Sequence, residues 1–203
     1  MSSIKLTADS NGGTFELKAP SSSSNTRVLT LPDTANGTVL TTTNPKPGNI
    51  IQIVSTTVTA ASTGTLATNG SVTLLSRTYT PTFSSSNALI QVSVHVDIAN
   101  QYGGMFINLN RDAQSVARGD AAGNRRQCTI VPDFSNSTFG GPLKSFTILD
   151  TDISGTSEVT YSVKMLDQSG NGGEYYLNTG RDNTDFNYIL RSVSTLTVME
   201  VAA

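Results

Sequence analysis

The chain contains one histidine, and its surroundings are the first place to look for chemistry. His95 precedes Asp97 by two residues in an alternating stretch, so the two side chains would share one side of a strand. A Ser-His-Asp triad also needs a serine at a sharp turn, usually marked by Gly-x-Ser-x-Gly, and that motif is absent. We therefore predict no catalytic residue and expect His95 at a cross-strand or subunit contact. One histidine from each copy would make such a contact pH-sensitive.

Oxygen-bearing side chains are concentrated between Asp167 and Glu174, in the sequence DQSGNGGE. Like a calcium loop, this segment has oxygen ligands around glycines, but it lacks the Asp-x-Asp-x-Asp-Gly spacing and the glutamate at position twelve. Weaker candidates of the same kind are Asp150, Asp152, Asp182 and Asp185. Because polar turns without metal are common in β-proteins, we predict a hairpin turn here and assign no metal ligand and no cofactor-binding residue.

Arginines occur in two short stretches near the middle of the chain. Arg118-Gly119-Asp120 spells a tripeptide known from integrin ligands; we take it as coincidence, although Gly119 indicates an exposed turn. Arg125 and Arg126 could bind an acidic glycan or a capsid surface, but we expect them to pair with neighbouring aspartates.

Composition favours extended structure and disfavours several kinds of partner. Serine and threonine together number 54 of 203 residues, while charged residues make up 14%, against about 25% in average proteins. Threonine suits strands, and serine, asparagine and glycine suit turns. The formal net charge of −2 provides no positive field for a phosphate backbone, so we expect no nucleic-acid partner. The absence of tryptophan weakens a sugar-stacking site but leaves one lined by tyrosine open.

The single cysteine and the lack of long apolar runs indicate the cellular compartment in which the protein is expected. Cys128 is alone, which excludes an intrachain disulfide framework, and we expect it to be a small buried side chain. No N-terminal segment resembles a signal peptide, and no apolar run approaches the ~20 residues needed to cross a bilayer. We expect a protein that is made in the cytosol and either stays soluble there or leaves the cell by lysis, and that does not insert into membranes.

The stretch Ala88–Ile98 is the clearest strand in the sequence. Its apolar residues occupy every second position, with polar residues between them, which predicts a strand with one buried face. The apolar residues are Ile90, Val92, Val94, Val96 and Ile98, and the polar ones are Gln91, Ser93, His95 and Asp97. We expect the polar side either to contact another copy of the chain or to face solvent.

The first 47 residues predict a thin β arm. Ile4–Ala8 and Thr14–Ala19 alternate and are separated by Asn-Gly-Gly, which predicts a hairpin, and further short strands are expected at 27–32 and 38–42. These strands carry few large apolar side chains, so a monomer of this segment would bury too little surface to offset its ordering entropy. The arm therefore needs a partner, either other copies of itself or a larger assembly.

The proline- and glycine-rich segment 44–48 predicts a boundary, giving an arm at 1–47 and a second domain at 48–203. In the second domain, about eight to ten strands at short spacing predict an all-β, antiparallel β-sandwich of the jelly-roll type. We expect Met105–Asp112 to pair with Ala88–Ile98, and Pro142–Asp150 to form a hairpin with Ser157–Leu166. The segment 113–126 is expected to be a long loop with a short strand, and CTIVPDF a strand that ends at Pro132.

Strings of residues at both ends resemble structural proteins of tailed phages of marine bacteria, notably cyanophages. The N-terminal part carries KLTADS, a Gly-Gly turn, LKAP and a later Leu-Pro followed by Asn-Gly-x-x-Leu. The remainder carries GNIIQIVST, RDAQSVARGDAAGNR and NYILRSVSTLTVMEVA. Asn11 stands where another small residue is expected. The resemblance covers nearly the whole chain and includes no catalytic signature.

This resemblance implies a non-enzymatic virion protein, made in the host cytoplasm. The expected role is a trimeric tail-fibre or surface-appendage subunit exposed for host attachment, joined to other virion proteins through residues 1–47. A host surface glycan is the candidate receptor. Two alternatives are a capsid-decorating or cement protein and a glycan-binding or glycan-cleaving domain; cleavage would need paired carboxylates about 5–9.5 Å apart facing a groove.

Overall fold

The computed structural model describes residues 3–7, 12–18, 21–22, 24, 45–99, 104–131, 142–168, 170–182 and 184–203. The chain separates into two compact units, Met1–Val39 and Leu40–Ala203. This division falls a few residues before the proline-rich segment at which we placed the boundary. The assignment of separate domains at 1–47 and 48–203 stays a prediction.

In the first unit, the described residues form one β-hairpin. Strands β1 (Ser3–Thr7) and β2 (Thr14–Lys18) are antiparallel, with Ile4 opposite Leu17. Gly12 lies in the turn with a φ of 66°, a conformation that glycine adopts without strain. The predicted hairpin is thus confirmed, while the strands predicted at 27–32 and 38–42 lie outside the described residues.

The second unit is an antiparallel β-sandwich, which confirms the predicted all-β fold class; the jelly-roll type stays a prediction. Its strands are β3 (Ile50–Val58), β4 (Ser62–Leu66), β5 (Ser71–Tyr79), β6 (Asn87–Ala99), β7 (Met105–Arg111), β8 (Gln114–Val116), β9 (Leu143–Asp150), β10 (Val159–Asp167), β11 (Gly173–Leu177) and β12 (Ser194–Val201). The smaller sheet has the order β5-β10-β7-β8. The larger sheet contains β3, β12, β6, β11, β4 and β9.

Strand β6 is the centre of the larger sheet. Both β12 and β9 pair with residues 88–93 of β6, so they occupy its opposite flanks, and β3 pairs with the far side of β12. Beyond β12, β11 continues along the same flank of β6, with β4 outside it. The local strand order is therefore β3-β12-β6-β9.

A buried asparagine joins β11 to β12. The Asn178 backbone N–H donates to the carbonyl of His95, whose own N–H donates to Ser194 Oγ. The Asn178 side chain donates to the carbonyl of Val58 at 2.8 Å and accepts from Ser194 Oγ at 2.6 Å. Its φ of 56° is left-handed, a region that asparagine tolerates better than most residues. Asn178 therefore connects the end of β11 to β3, β6 and β12 by hydrogen bonds.

The core lies between the two sheets. From β6 it receives the five apolar side chains predicted for the buried face, each at most 2% exposed. From the smaller sheet come Leu75, Ile107, Leu109, Tyr161, Val163 and Met165. The predicted inward face of Ala88–Ile98 is confirmed.

Two β-bulges, in β5 and β3, explain why these strands contain adjacent apolar residues although their side chains otherwise alternate between the two faces. The register of β5 against β10 shifts at Leu74, so Leu74 and Leu75 are both buried. A second shift, at Ile51 in β3, accounts for the adjacent isoleucines that blur its sequence pattern. In both strands the extra residue shifts the alternation by one position, so that the apolar side chains after the bulge point into the core.

Two predicted pairings are wrong. Met105–Asp112 becomes β7, which pairs with β10 and β8 in the other sheet and not with β6. Pro142–Asp150 and Ser157–Leu166 do not form a hairpin, because β9 pairs with β6 while β10 pairs with β5 and β7. The physical reason is that β10 lies inside the smaller sheet, where β5 and β7 take the backbone hydrogen bonds of both its edges and leave none for β9. The segment 151–158 crosses from one sheet to the other.

The edge strand β4 lies within the stretch 61–70, and only its Leu66 is buried. One smaller expectation also changes. The described part of CTIVPDF makes one β-bridge, from Ile130 to Ile107, and is not a strand; its residues from Pro132 on lie outside the described ranges. The loop at 113–126 with a short strand is confirmed by β8.

Candidate functional site

The outer side of strands β3, β12, β6 and β9 is a regular surface of four adjacent strands, here called the outer face. Its seventeen outward positions are Ile50, Ile53, Ser55, Thr57, Thr195, Thr197, Met199, Val201, Asn87, Leu89, Gln91, Ser93, His95, Leu143, Ser145, Thr147 and Leu149. None of them is Asp, Glu, Lys or Arg. Hydroxyl and amide groups dominate its middle, where a shallow depression of about 520 Å³ is lined by β6, β9 and β12.

Four apolar side chains cross this face in a single register, here called the apolar row. Ile53 pairs with Met199, Met199 with Leu89, and Leu89 with Leu149. The two ends of the row are the most open, with Ile53 58% and Leu149 52% exposed. Contiguous exposed apolar surface of this kind marks interaction sites more often than isolated apolar residues do.

His95 and Asp97 lie where the sequence placed them, on the polar side of β6. His95 is half-buried at the end of the outer face. Asp97 is buried, and its Oδ1 accepts the backbone N–H of Ile98 at 2.8 Å. The contact between copies expected at His95 stays a prediction.

The segment Asp167–Glu174 connects β10 to β11, but the predicted hairpin turn is wrong, because β10 pairs with β5 and β7 while β11 pairs with β4 and β6 in the other sheet. The buried carboxylate of Asp167 accepts backbone N–H groups from Asn69 and Gly172, at 3.2 and 3.1 Å. Asn69 and Gly172 both have positive φ, so this carboxylate ties two tight turns together. In the part of the chain described, no group of three or more His, Cys, Asp or Glu side chains is placed to hold a metal ion.

Asp150, a weak metal candidate in the sequence, is the centre of a polar cluster that joins the sheets. Arg111 Nη1 donates to both carboxylate oxygens, at 2.6 and 2.7 Å, and the Tyr161 hydroxyl donates to Oδ2 at 2.7 Å. Burial and the hydrogen bond to Asp150 raise the pKa of Tyr161. Tyr79 stacks on Tyr161 at 6.1 Å between centroids, and burial raises its pKa to about 12. Asp150 thus holds the edge of β9 to β7 and β10.

Glu200, which the sequence analysis did not single out, is fully buried at the end of β12. Oε1 accepts from the backbone N–H groups of Thr82 and Phe83, at 2.7 and 3.0 Å, and from Ser86 Oγ at 2.5 Å. Oε2 accepts from Gln52 Nε2 at 2.6 Å. Burial acts to raise the pKa of this carboxyl, but the hydrogen bonds outweigh it and keep the pKa below its usual value.

The arginine stretches are at the surface. Arg118, Gly119 and Asp120 are exposed, and the Gly119 backbone N–H donates to the carbonyl of Cys128. Arg126 donates to Gln168 Oε1 at 3.1 Å, not to an aspartate, in the described residues. Cys128 is half-buried, and burial raises the pKa of its thiol.

Two further surface features involve aromatic or charged side chains. Phe186 and Tyr188, in the loop between β11 and β12, are about half exposed and stack at 5.2 Å with nearly parallel rings. A groove of about 600 Å³ lies where β3 faces β5, lined by residues including Arg77, Tyr79 and Glu158. Arg77 Nε and the Tyr79 hydroxyl are buried without a hydrogen-bond partner among the described atoms.

No helix long and apolar enough to cross a membrane occurs among the residues described. A scan against protein-family models found no match to this chain. A search of curated proteins found no relative.

Proposed function

We propose that this chain is a non-enzymatic structural protein of a phage virion: a trimeric tail-fibre or surface-appendage subunit that is exposed for host attachment. In this proposal the arm, residues 1–47, attaches to other virion proteins or to its own copies, and the sandwich is displayed. The resemblance of both ends of the chain to phage structural proteins suggests the setting. The main support for it is the exposure of apolar side chains on the N-terminal hairpin.

Three apolar side chains of the β1–β2 hairpin are uncovered. Ile4, Leu6 and Leu17 are 64%, 57% and 47% exposed and lie on one face of the hairpin, because Ile4 is opposite Leu17 and Leu6 is two residues from Ile4. An isolated two-stranded hairpin is marginal in water. Covering what remains exposed of these three side chains would contribute about 2.5–5 kcal/mol per copy. The hairpin is therefore built to be covered by a partner.

The test compares two double variants of the full chain by sedimentation equilibrium. Leu6→Lys with Leu17→Lys puts charges on the apolar face, whereas Thr7→Lys with Thr14→Lys puts them on the opposite face of the same strands. We expect the first to lower the solution mass and the second to preserve that of the unmodified chain. Equal masses for both variants would overturn the role of the arm.

A second test distinguishes the appendage from a capsid-decorating or cement protein. Antibody labelling of virus particles, viewed by electron microscopy, gives label on the tail or its fibres for an appendage. Label spread over the capsid surface would favour the cement protein instead. Absence of the protein from purified particles would overturn both.

Glycan binding is a second candidate function, favoured by the groove between β3 and β5. It is lined by Arg77, Glu158 and several hydroxyl-bearing residues, and side chains of these types hydrogen-bond sugar hydroxyls and carboxylates. A glycan array probed with the full chain, beside an Arg77→Met variant, tests this. Binding lost in the variant supports it, and binding unchanged in the variant or absent from both chains refutes it.

A further inference from the structure

Strand β9 presents an open backbone edge. In β6, the His95 N–H donates to Ser194 Oγ and the His95 carbonyl accepts from the Asn178 N–H, so both groups point toward β12 and β11. Backbone groups of consecutive strand residues point to opposite sides, so Val94 and every second residue before it bond to β9. Their partners are the even-numbered residues of 144–150, and the odd-numbered residues of β9 therefore point away from β6.

Four odd-numbered residues carry this open edge: Leu143, Ser145, Thr147 and Leu149. All four are exposed, and none of their backbone N–H or C=O groups has a hydrogen-bond partner among the described residues. Strand β9 contains no proline and pairs with β6 without a bulge, although prolines and bulges are common means of protecting an edge strand. The edge is therefore a template for one more strand.

The order of these residues favours a second copy of β9 as that strand. In one direction the open edge has the order Leu-Ser-Thr-Leu, and in the other it has the order Leu-Thr-Ser-Leu. An antiparallel second copy centred on Phe146 places Leu143 opposite Leu149 at both ends, and both leucines are about half exposed in one chain. Ser145 then lies opposite Thr147, and each of these pairs exchanges two backbone hydrogen bonds. A shift of the register by two residues loses one pair and separates the leucines.

Two comparisons single out this pairing. The lysine of β9, Lys144, lies opposite Ile148 of the second copy and diagonally across from its Asp150, so its charge stays near a carboxylate. The edge strand β3, on the other flank of the sheet, has no such symmetry, because self-pairing of its outward residues would place Ile53 opposite Thr57. Of these two edges, β9 alone matches a second copy of itself.

We propose that two copies of this chain associate through β9, antiparallel about a two-fold axis at Phe146, and form one continuous sheet. Backbone hydrogen bonds supply the affinity, and the two leucine contacts set the register. This goes beyond the proposed function, because a two-fold contact does not close a trimer; in a trimeric appendage it joins a chain of one trimer to a chain of another. It does not involve residues 1–47, so it holds or fails independently of the arm.

Disulfide formation between two variants of the full chain tests the register. Both variants carry Cys128→Ser; one adds Ser145→Cys and the other adds Thr147→Cys. In the proposed pair these two positions are opposite each other, with Cα atoms about 5.5 Å apart, which is within the range of a disulfide. Two copies of the same variant place their cysteines diagonally, with about 7–8 Å between Cβ atoms, which is too far.

In a glutathione redox buffer, the mixture of the two variants should form several-fold more disulfide dimer than either variant alone. Absence of the dimer from the mixture, or an equal amount from either variant alone, would overturn the proposal. The mixture should form the same dimer when both variants also carry Leu6→Lys and Leu17→Lys. Loss of the dimer in those chains would show that the arm, and not β9, brings the copies together.

Sedimentation equilibrium of Thr147→Pro provides a second readout, in chains that carry Leu6→Lys and Leu17→Lys so that the arm does not contribute. The Thr147 N–H points away from β6, so proline removes no bond within the chain but one donor from each copy of the pair. The dissociation constant of the pair should rise roughly tenfold or more.

The matched control is Thr57→Pro, at an exposed threonine of edge strand β3. The Leu196 carbonyl points from β12 to β3 opposite Thr56, so the N–H of the next residue, Thr57, points away from β12. This control should keep the dissociation constant of the unmodified edge. Equal dissociation constants for the two proline variants would contradict the pairing through β9.

Discussion

Replacing Glu200 by glutamine tests whether its buried carboxylate stabilises the fold by joining β12 to β3 and to the loop between β5 and β6. The substitution keeps shape and volume but exchanges Oε2 for an amide that faces the donating Nε2 of Gln52. One charge-assisted hydrogen bond, worth about 1.5–3 kcal/mol, is lost. The bonds from Thr82, Phe83 and Ser86 become neutral and weaken to roughly half. We expect the free energy of unfolding to fall by about 4 kcal/mol in total.

Equilibrium unfolding in urea, monitored by circular dichroism, measures this loss. The matched control is Glu158→Gln, an exposed glutamate whose replacement should change stability by less than about 0.5 kcal/mol. The pH dependence provides an independent check. Because folding lowers the pKa of Glu200 below its usual 4.5, its stabilisation is complete above that value and is lost as the pH falls through the folded pKa.

The difference between the unmodified chain and Glu200→Gln should therefore shrink in acid, since protonation removes the charge from the unmodified chain as well. A loss below about 1 kcal/mol at neutral pH would refute the reasoning. So would a difference that stays constant from neutral pH to about pH 3, because the carboxylate would then not be the source of the stability.

Three further predictions use the same unfolding assay. Asp150→Asn breaks the bidentate contact with Arg111 and should cost about 3 kcal/mol; a loss below about 1 kcal/mol would show that the cluster does not join the sheets. Folding raises the pKa of Tyr161, so stability should fall as the pH rises above the unfolded value of 10.0; Tyr161→Phe should flatten that fall, and an unchanged slope would contradict it. Ile90→Ala removes a fully buried side chain and should cost about 2–5 kcal/mol, against less than about 0.5 for the outward Gln91→Ala; equal costs would mean that β6 faces the other way.

Strand positions in this chain follow from local pattern, and strand pairing does not. The alternation of Ala88–Ile98 and the Asn-Gly-Gly turn of the hairpin are local, so β6 and β1–β2 are where the sequence predicts them. Pairing depends on residues far apart: β6 joins β12 and β9, not the next strand along the chain. A hairpin between β9 and β10 looked natural because they are consecutive. It would have displaced β5 or β7, the two strands that flank β10.

The polar clusters around Glu200 and Asp150 could have been found in the sequence, because each carboxylate continues the alternation of the buried apolar residues before it. In the last strand, Leu196 and Val198 are followed at the same spacing by Glu200, and Asp150 likewise follows Phe146 and Ile148. A carboxylate in an inward phase at the end of a strand must find donors, because an unpaired buried charge is too costly. Its donors, in Ser86 and Gln52 or in Arg111 and Tyr161, come from distant segments that only the fold brings together.

The position of β6 in the chain affects folding during synthesis. Its apolar stripe is synthesised before its partners: Ser194, the first residue of β12, lies 96 positions after Ile98. At about 5–20 residues per second, a ribosome needs roughly 5–20 s to deliver that strand. During this time one flank of β6 has no β12 to pair with, which favours off-pathway association with neighbouring chains. The yield of folded protein should therefore depend on chaperones and growth temperature more than its final stability suggests.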